Sequence, residues 1–153
     1  MDTKSEILQF NIRVYGICLV EDKLLLANES INGFSFTKFP GGGVEKGEGI
    51  MQALKRELIE EGQIEGFNFE HFYTTDFFQV SAFNSQEQII SVYYTFNANI
   101  NWVTQKGFDY SKGKKQDWLL YFKPINEISE ETFTFPIDKI VIKKLKEKLL
   151  SLS

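Results

Sequence analysis

The stretch that decides the reading is Gly42-Gly43-Val44-Glu45-Lys46-Gly47-Glu48, followed by seven residues and then Arg56-Glu57-Leu58-Ile59-Glu60-Glu61. From Gly49 to Glu61 the apolar residues Ile50, Met51, Leu54 and Leu58 recur at spacings of three and four, the mark of one buried helix face. On such a helix, at about 100° per residue, Glu57, Glu60 and Glu61 fall within an arc of roughly 100°, so their carboxylates can converge. Three anions so placed raise one another's pKa, and they stand at the helix C-terminus, where the dipole disfavours negative charge. A divalent cation resolves both penalties. With hard carboxylate oxygens and no Cys or His beside them, Mg2+ fits better than zinc, and Mn2+ is a substitute. Taken alone, the three glutamates are equally compatible with a solvated acidic helix face. Gly41, Gly42 and Gly43 tip the balance, because glycine lets the backbone come close to a ligand or metal, although a tight turn uses it too.

Upstream, Phe10 to Val20 and Lys23 to Ala27 read as two strands joined through Glu21-Asp22 as a hairpin. Glu29 to Phe36 reads as a polar loop, and Phe39-Pro40-Gly41-Gly42-Gly43 as a break in regular structure before the helix. Downstream, Phe67 to Phe83, Ile89 to Ile100 and Trp118 to Phe122 are rich in β-branched and aromatic residues and read as strands. Thr104 to Gln116 reads as a polar loop. Ile137, Ile140, Val141, Leu145 and Leu149 predict a second amphipathic helix from Ile137 to Leu150. One helix inserted among strands and another at the end imply an α/β fold layered around a mixed sheet.

The segment resembles the Nudix box: Gly, five residues, Glu, seven residues, then Arg-Glu-apolar-any-Glu-Glu-any-Gly-apolar. Gly42, Glu48, Arg56, Glu57, Leu58, Glu60, Glu61 and Ile64 match. Six fixed positions at roughly 7% each give a chance match on the order of one in ten million per start, so coincidence is set aside. The resemblance implies a Nudix α/β/α sandwich, a single hydrolase domain over residues 1–153, and Mg-dependent cleavage of a diphosphate bond. Glu57, Glu60 and Glu61 are then the metal ligands. Glu48 and Arg56 support catalysis, with Arg56 orienting a carboxylate through a charge-assisted hydrogen bond. The general base is Glu60, Glu61 or a downstream residue such as Glu87, Asp109 or Asp117. The pattern's closing glycine falls at Gln63, while this chain has Gly62, which is expected to end the helix directly after Glu61.

The resemblance leaves the substrate open. Signatures of the NADH, ADP-ribose and coenzyme A subgroups are missing, which leaves a nucleoside triphosphate or related nucleotide in the MutT-like manner. Leu24 to Asn28 lacks the arginine often found after that strand, so Lys38 or the lysines from Lys112 to Lys115 are phosphate-binding candidates, with a solvated loop as the alternative. Asp138 resembles the position that contacts a purine in MutT-type members; otherwise it is a carboxylate favoured at a helix N-terminus. Gly42 and Gly43 are the backbone candidates for approach to substrate. Tyr73, Phe77, Phe78 and Tyr94 are candidates to stack on a base, although aromatic alternation also serves core packing. His71 reads as incidental. The alternative function is a noncatalytic nucleotide-sensing Nudix module, which often lacks part of the carboxylate set; here the set is complete.

A net charge of -4 argues against a nonspecific nucleic-acid surface. No apolar run reaches the length of a membrane span, and Met1 to Glu6 carries no secretion signal, so a cytoplasmic enzyme acting on a small molecule is expected. Cys18, the single cysteine, lies in an apolar run and is expected to be a buried structural thiol. Monomer and homodimer are not separated by sequence.

Overall fold

The computed structural model describes residues 6–109 and 116–152. The chain runs β1 (Gln9–Ile17), β2 (Leu19–Val20), β3 (Lys23–Ile31), β4 (Phe34–Lys38), β5 (Gly41–Gly43) and α1 (Ile50–Gly62). There follow β6 (Gly66–Thr74), β7 (Glu87–Ala98), β8 (Thr104–Asp109), β9 (Gln116–Pro124) and α2 (Pro136–Ser151). One sheet has the order β5-β1-β7-β6 and is mixed, since β1 and β7 are parallel and their other pairings antiparallel. A second, antiparallel sheet accompanies it in the order β2-β3-β9-β8, with β4 added to β3.

Strand alternation distributes the core to two sides. On β1, Val14, with Cys18 just past the strand's end, joins a cluster with Leu54 and Leu58 of α1, while Tyr15 and Ile17 join another with Val141 and Leu145 of α2. β3 divides in the same way: Leu25 and Ala27 face the α1 cluster, and Leu24 and Leu26 the α2 cluster. Each helix therefore buries its stripe in a separate core, which is the expected α/β/α layering. Cys18 is fully buried, and burial pushes its thiol up to about 11. Among the described residues no helix is long and apolar enough to cross a membrane.

Several boundaries differ from the sequence reading. The polar stretch Glu29 to Phe36 is the turn of a β3–β4 hairpin, not a loop, with Ile31 paired to Phe34. Asn32 and Gly33 both take positive φ, 49° and 85°, which is what a two-residue turn matched to strand twist requires. Gly41 to Gly43, read as a break, pairs antiparallel with Tyr15 to Arg13. The first six residues of the expected loop Thr104 to Gln116 form β8, an edge strand on β9. The strand expected from Phe67 to Phe83 stops at Thr74, and residues 79–89 fold into an arm beside β7, where Ile89 N donates to Gln79 O (2.8 Å) and Ser81 N to Glu87 O (2.9 Å).

The end of α1 also corrects an expectation. Gly62 stays helical, and the left-handed residue is Gln63 (φ 53°, ψ 39°). A Cβ on Gly62 would stand 2.6 Å from Leu120 Cδ1, so glycine is needed there for space against β9 rather than for handedness. The turn closes as Gln63 N and Ile64 N donate to the carbonyls of Ile59 and Leu58.

Candidate active site

Helix α1 is capped by Gly49, whose N–H donates to Gln52 Oε1 at 2.6 Å, and carries Arg56 toward the preceding loop. Arg56 grips Glu48 with two hydrogen bonds, from Nε (3.0 Å) and Nη2 (2.6 Å). It also donates to the Gly43 carbonyl (3.0 Å), to Glu57 Oε1 (3.0 Å) and to Glu60 Oε2 (3.3 Å). One guanidinium thus fastens β5, the loop and the helix together. Its hydrogen bonds, with the Glu45 N–H behind them, hold the Glu48 carboxyl down to about 2, well below the usual carboxylate range.

The three expected ligands are placed differently. Glu57 lies against β5: a Cβ on Gly42 would stand 2.7 Å from its carboxylate carbon, so only glycine fits there. Glu61 is 7% exposed, and its Oε2 is buried without a hydrogen-bond partner. Burial drives the Glu61 pKa well up; Lys38 opposes the rise, while Glu29 and Glu57 add to it. Glu60 turns outward, with a side chain 58% exposed. Among the described residues no three His, Cys, Asp or Glu side chains stand close enough as placed to enclose a metal ion. Glu57 and Glu61, by contrast, are neighbours whose charges interact directly.

Beside this helix lies a cavity of about 240 Å³ walled by β1, β3, β4, β7, the arm and the start of α2. Lys38 lines it from β4, not from a solvated loop. It is 2% exposed, and its ammonium donates to the carbonyls of Phe39 (3.2 Å) and Gly41 (2.9 Å) while lying 3.2 Å from Glu29. Burial pulls Lys38 down, but Glu29 and then Glu61 outweigh it and hold the ammonium above its ordinary value. Asp138 lines the cavity from the first turn of α2, 3% exposed, and accepts from Tyr93 Oη at 2.6 Å. Burial raises its carboxyl to about 6 against the pull of Tyr93, Lys38, Arg13 and Lys139. At the rim, Phe83 on the arm meets Phe36 (5.5 Å) and Phe135 (6.0 Å).

Other sequence candidates lie elsewhere. Glu87 accepts from Gln9 and Asn11, and Asp117 lines a separate groove on the second sheet. The side chain of Asp109 and all of Lys112 to Lys115 fall outside the described residues. Tyr73 is core, Tyr94 packs edge-on to His71, and Phe77 and Phe78 are exposed. His71 shares a hydrogen bond with Thr74. Sequence reasoning missed Arg13, Glu29 and Tyr93, all on the cavity wall. The alternation Asn11-Arg13-Tyr15 was a usable signal for the first, because a strand whose apolar end is buried carries its polar end to the same face.

The family model for the NUDIX domain matches residues 10–141. The chain belongs to the Nudix family. With that membership goes the family's reaction class, hydrolysis of a diphosphate bond. Solved structures share the Nudix fold at low identity. The ORF135 protein of E. coli aligns with a TM-score of 0.65 and 20% identity over 92% of this chain and 91% of its own. A NUDIX hydrolase from Nitrosomonas europaea gives 0.66 and 20% over 90% and 89%. A mutator MutT protein from Bacillus halodurans gives 0.61 and 20% over 87% and 80%. No curated protein matches the chain.

Proposed function

We propose that this Nudix chain is a single-domain, cytoplasmic, Mg2+-dependent pyrophosphohydrolase that takes a nucleoside triphosphate or related nucleotide, with the base in the cavity and the diphosphate over α1. The observation that carries the metal reading is the buried, unpartnered Oε2 of Glu61 beside Glu57. A buried anion without a donor is costly, and a divalent cation removes the cost. The residues present fit one: hard oxygens only, with Gly42 letting the Glu57 carboxylate lie close against β5. Glu57 and Glu61 would hold the ion, with Glu60 as the third carboxylate of the set. When bound, such an ion neutralises diphosphate charge and makes water a stronger acid.

The chain's own groups supply the rest. Arg56 fixes Glu57 and Glu48 so that neither needs to reorganise during reaction. Glu60, the exposed member, is open to water, and we assign its Oε1 the proton of the attacking water, Oε2 being held by Arg56. Asp138 and the ring of Phe83 meet the base. Lys38 and Arg13 each interact electrostatically with Asp138 and with a carboxylate of α1, Lys38 with Glu61 and Arg13 with Glu57, which links the two halves of the site.

The test is release of phosphate or pyrophosphate from nucleoside triphosphates, dinucleoside polyphosphates and nucleotide sugars with magnesium. Glu57→Gln, Glu60→Gln and Glu61→Gln should each lower turnover at least about a hundredfold, roughly 3 kcal/mol of transition-state stabilisation. The rise in melting temperature on adding magnesium should shrink in Glu57→Gln and Glu61→Gln, since linked stabilisation follows metal affinity. Turnover undiminished by chelation refutes the metal reading. A noncatalytic sensing module would bind nucleotide and release nothing.

A further inference from the structure

We propose that Arg13 is the phosphate anchor of the site, gripping the phosphoryl group attached to the substrate's sugar between the base cavity and Glu57. The proposal rests on the nucleotide-hydrolase reading above. It begins from an imbalance between two cations on the cavity wall. Lys38 has three hydrogen-bonding hydrogens and three acceptors: Glu29 and the carbonyls of Phe39 and Gly41. It is a satisfied group with little left to offer a ligand.

Arg13 is different. It sits in the middle of the mixed sheet, opposite Gly43 of β5 and Ser91 of β7, so its position is set by two flanking strands. Its Nε donates to Tyr15 Oη at 2.6 Å, which fixes the plane of the guanidinium. The ion pairs among the described residues are one of Lys38 with Glu29 and three of Arg56, and none involves Arg13. Its Nη1 and Nη2 hydrogens have no acceptor among the described residues, although the side chain is partly buried and lines the cavity.

A guanidinium has five N–H donors, and one is used here. Glu29 and Glu57 act on it by charge alone, at distances beyond an ion pair. A cation partly withdrawn from water on a cavity wall, with no hydrogen-bonded anion, is open to an anionic ligand, and the planar fork of Arg suits two oxygens of one phosphate. Nη1 lies over Gly43, where a built Cβ would stand in ordinary contact at 3.6 Å, so β5 holds this edge of the guanidinium without crowding it. The neighbouring wall residues Asn11 and Ser91 are neutral and polar, and Lys38, the other cation on the wall, is already held by Glu29 and two carbonyls. Whichever diphosphate bond is cut, the phosphoryl group on the sugar stays with the nucleoside product. Arg13 therefore contributes to binding of nucleoside monophosphate as well as substrate.

The experiment compares the full-length parent with Arg13→Lys and Arg13→Gln. Binding of AMP, GMP, CMP and UMP and of the four matching nucleosides is measured by calorimetry with magnesium chelated. The parent should bind at least one monophosphate tenfold or more tighter than its nucleoside. Arg13→Gln should abolish that ratio while leaving nucleoside affinity unchanged, and Arg13→Lys, which keeps the charge but loses the fork, should reduce it. An unchanged ratio in either folded variant overturns the proposal, as does a parent that binds no monophosphate more tightly than nucleoside. Since binding is read without turnover, a parent that binds but never hydrolyses refutes the hydrolase reading separately.

Discussion

The C-terminal half of α1 and the floor of the cavity treat charge in opposite ways. On α1, Arg56 is saturated with four acceptor groups, while the buried Oε2 of Glu61 has none. On the floor the carboxylates of Glu29 and Asp138 are partnered by Lys38 and Tyr93, while the fork of Arg13 is open. What each region leaves unpaired differs in sign: an anion at the helix and a cation in the cavity. A nucleotide with its metal carries the complement of both, and that is why the contrast says more than either region alone.

The sharpest way to break the contrast is to unpair the floor. Lys38→Met leaves Glu29 buried without its cation and should cost about 3–5 kcal/mol of stability, read as a lower denaturant midpoint. Adding Glu29→Leu should recover most of the loss, because an apolar pair avoids the desolvation penalty. A Lys38→Met protein as stable as its parent would mean that Lys38 does not offset the burial of Glu29.

Asp138 gives a second, pH-dependent test. Its carboxyl in the folded protein stands near 6, against an ordinary 3.8, with burial the main cause. A pKa raised on folding contributes stability that is complete below about pH 4 and is lost as pH rises through 6. About two units correspond to roughly 3 kcal/mol. Asp138→Asn removes this dependence while still accepting from Tyr93. Its melting temperature relative to the parent should therefore climb between pH 4 and pH 7, and a difference that is flat over that range would contradict the assignment.

The smallest effect concerns the helix end. Gln63→Gly should stabilise the protein by about 1 kcal/mol, since a side chain in the left-handed region is strained and glycine is not. That corresponds to roughly 2–4 °C for a chain of this size. No gain would show that Gln63 is held there by side-chain contacts.

What could be read from sequence follows the range of the interactions. The box and α1 were legible because helical spacing is local: Arg56, Glu57, Glu60 and Glu61 lie within two turns, and the geometry of one helix relates them. Glu48 needed the pattern as well, and the structure ties it to Arg56 across eight positions. The β3–β4 hairpin carried a readable signal in Asn32-Gly33, but its polar flanks Glu29, Ser30 and Ser35 outweighed it, because Glu29 is buried only by virtue of Lys38 nine residues away. β8 lacks apolar alternation, as an edge strand can, and Trp118 lies over Gly107 where a side chain would not fit. The cavity was the least legible part. Arg13, Glu29, Tyr93 and Asp138 come from four elements, and only strand register within each sheet together with the packing of the two sheets and α2 brings them to one cavity.

The arm of residues 79–89 divides its duties along its length. Its base is tied to β7 by directional backbone hydrogen bonds at Gln79, Ser81 and Glu87, which fix where the arm starts and returns. Its tip, Phe83, reaches β4 and the start of α2 through ring contacts at 5.5–6.0 Å, which ask for an apolar face but not for one particular shape. A roof built this way tolerates a change of side-chain shape more readily than the floor beneath it, where buried charges are paired. New ligand preferences in such a protein are therefore most accessible at residue 83, where change disturbs neither a strand pairing nor a buried charge.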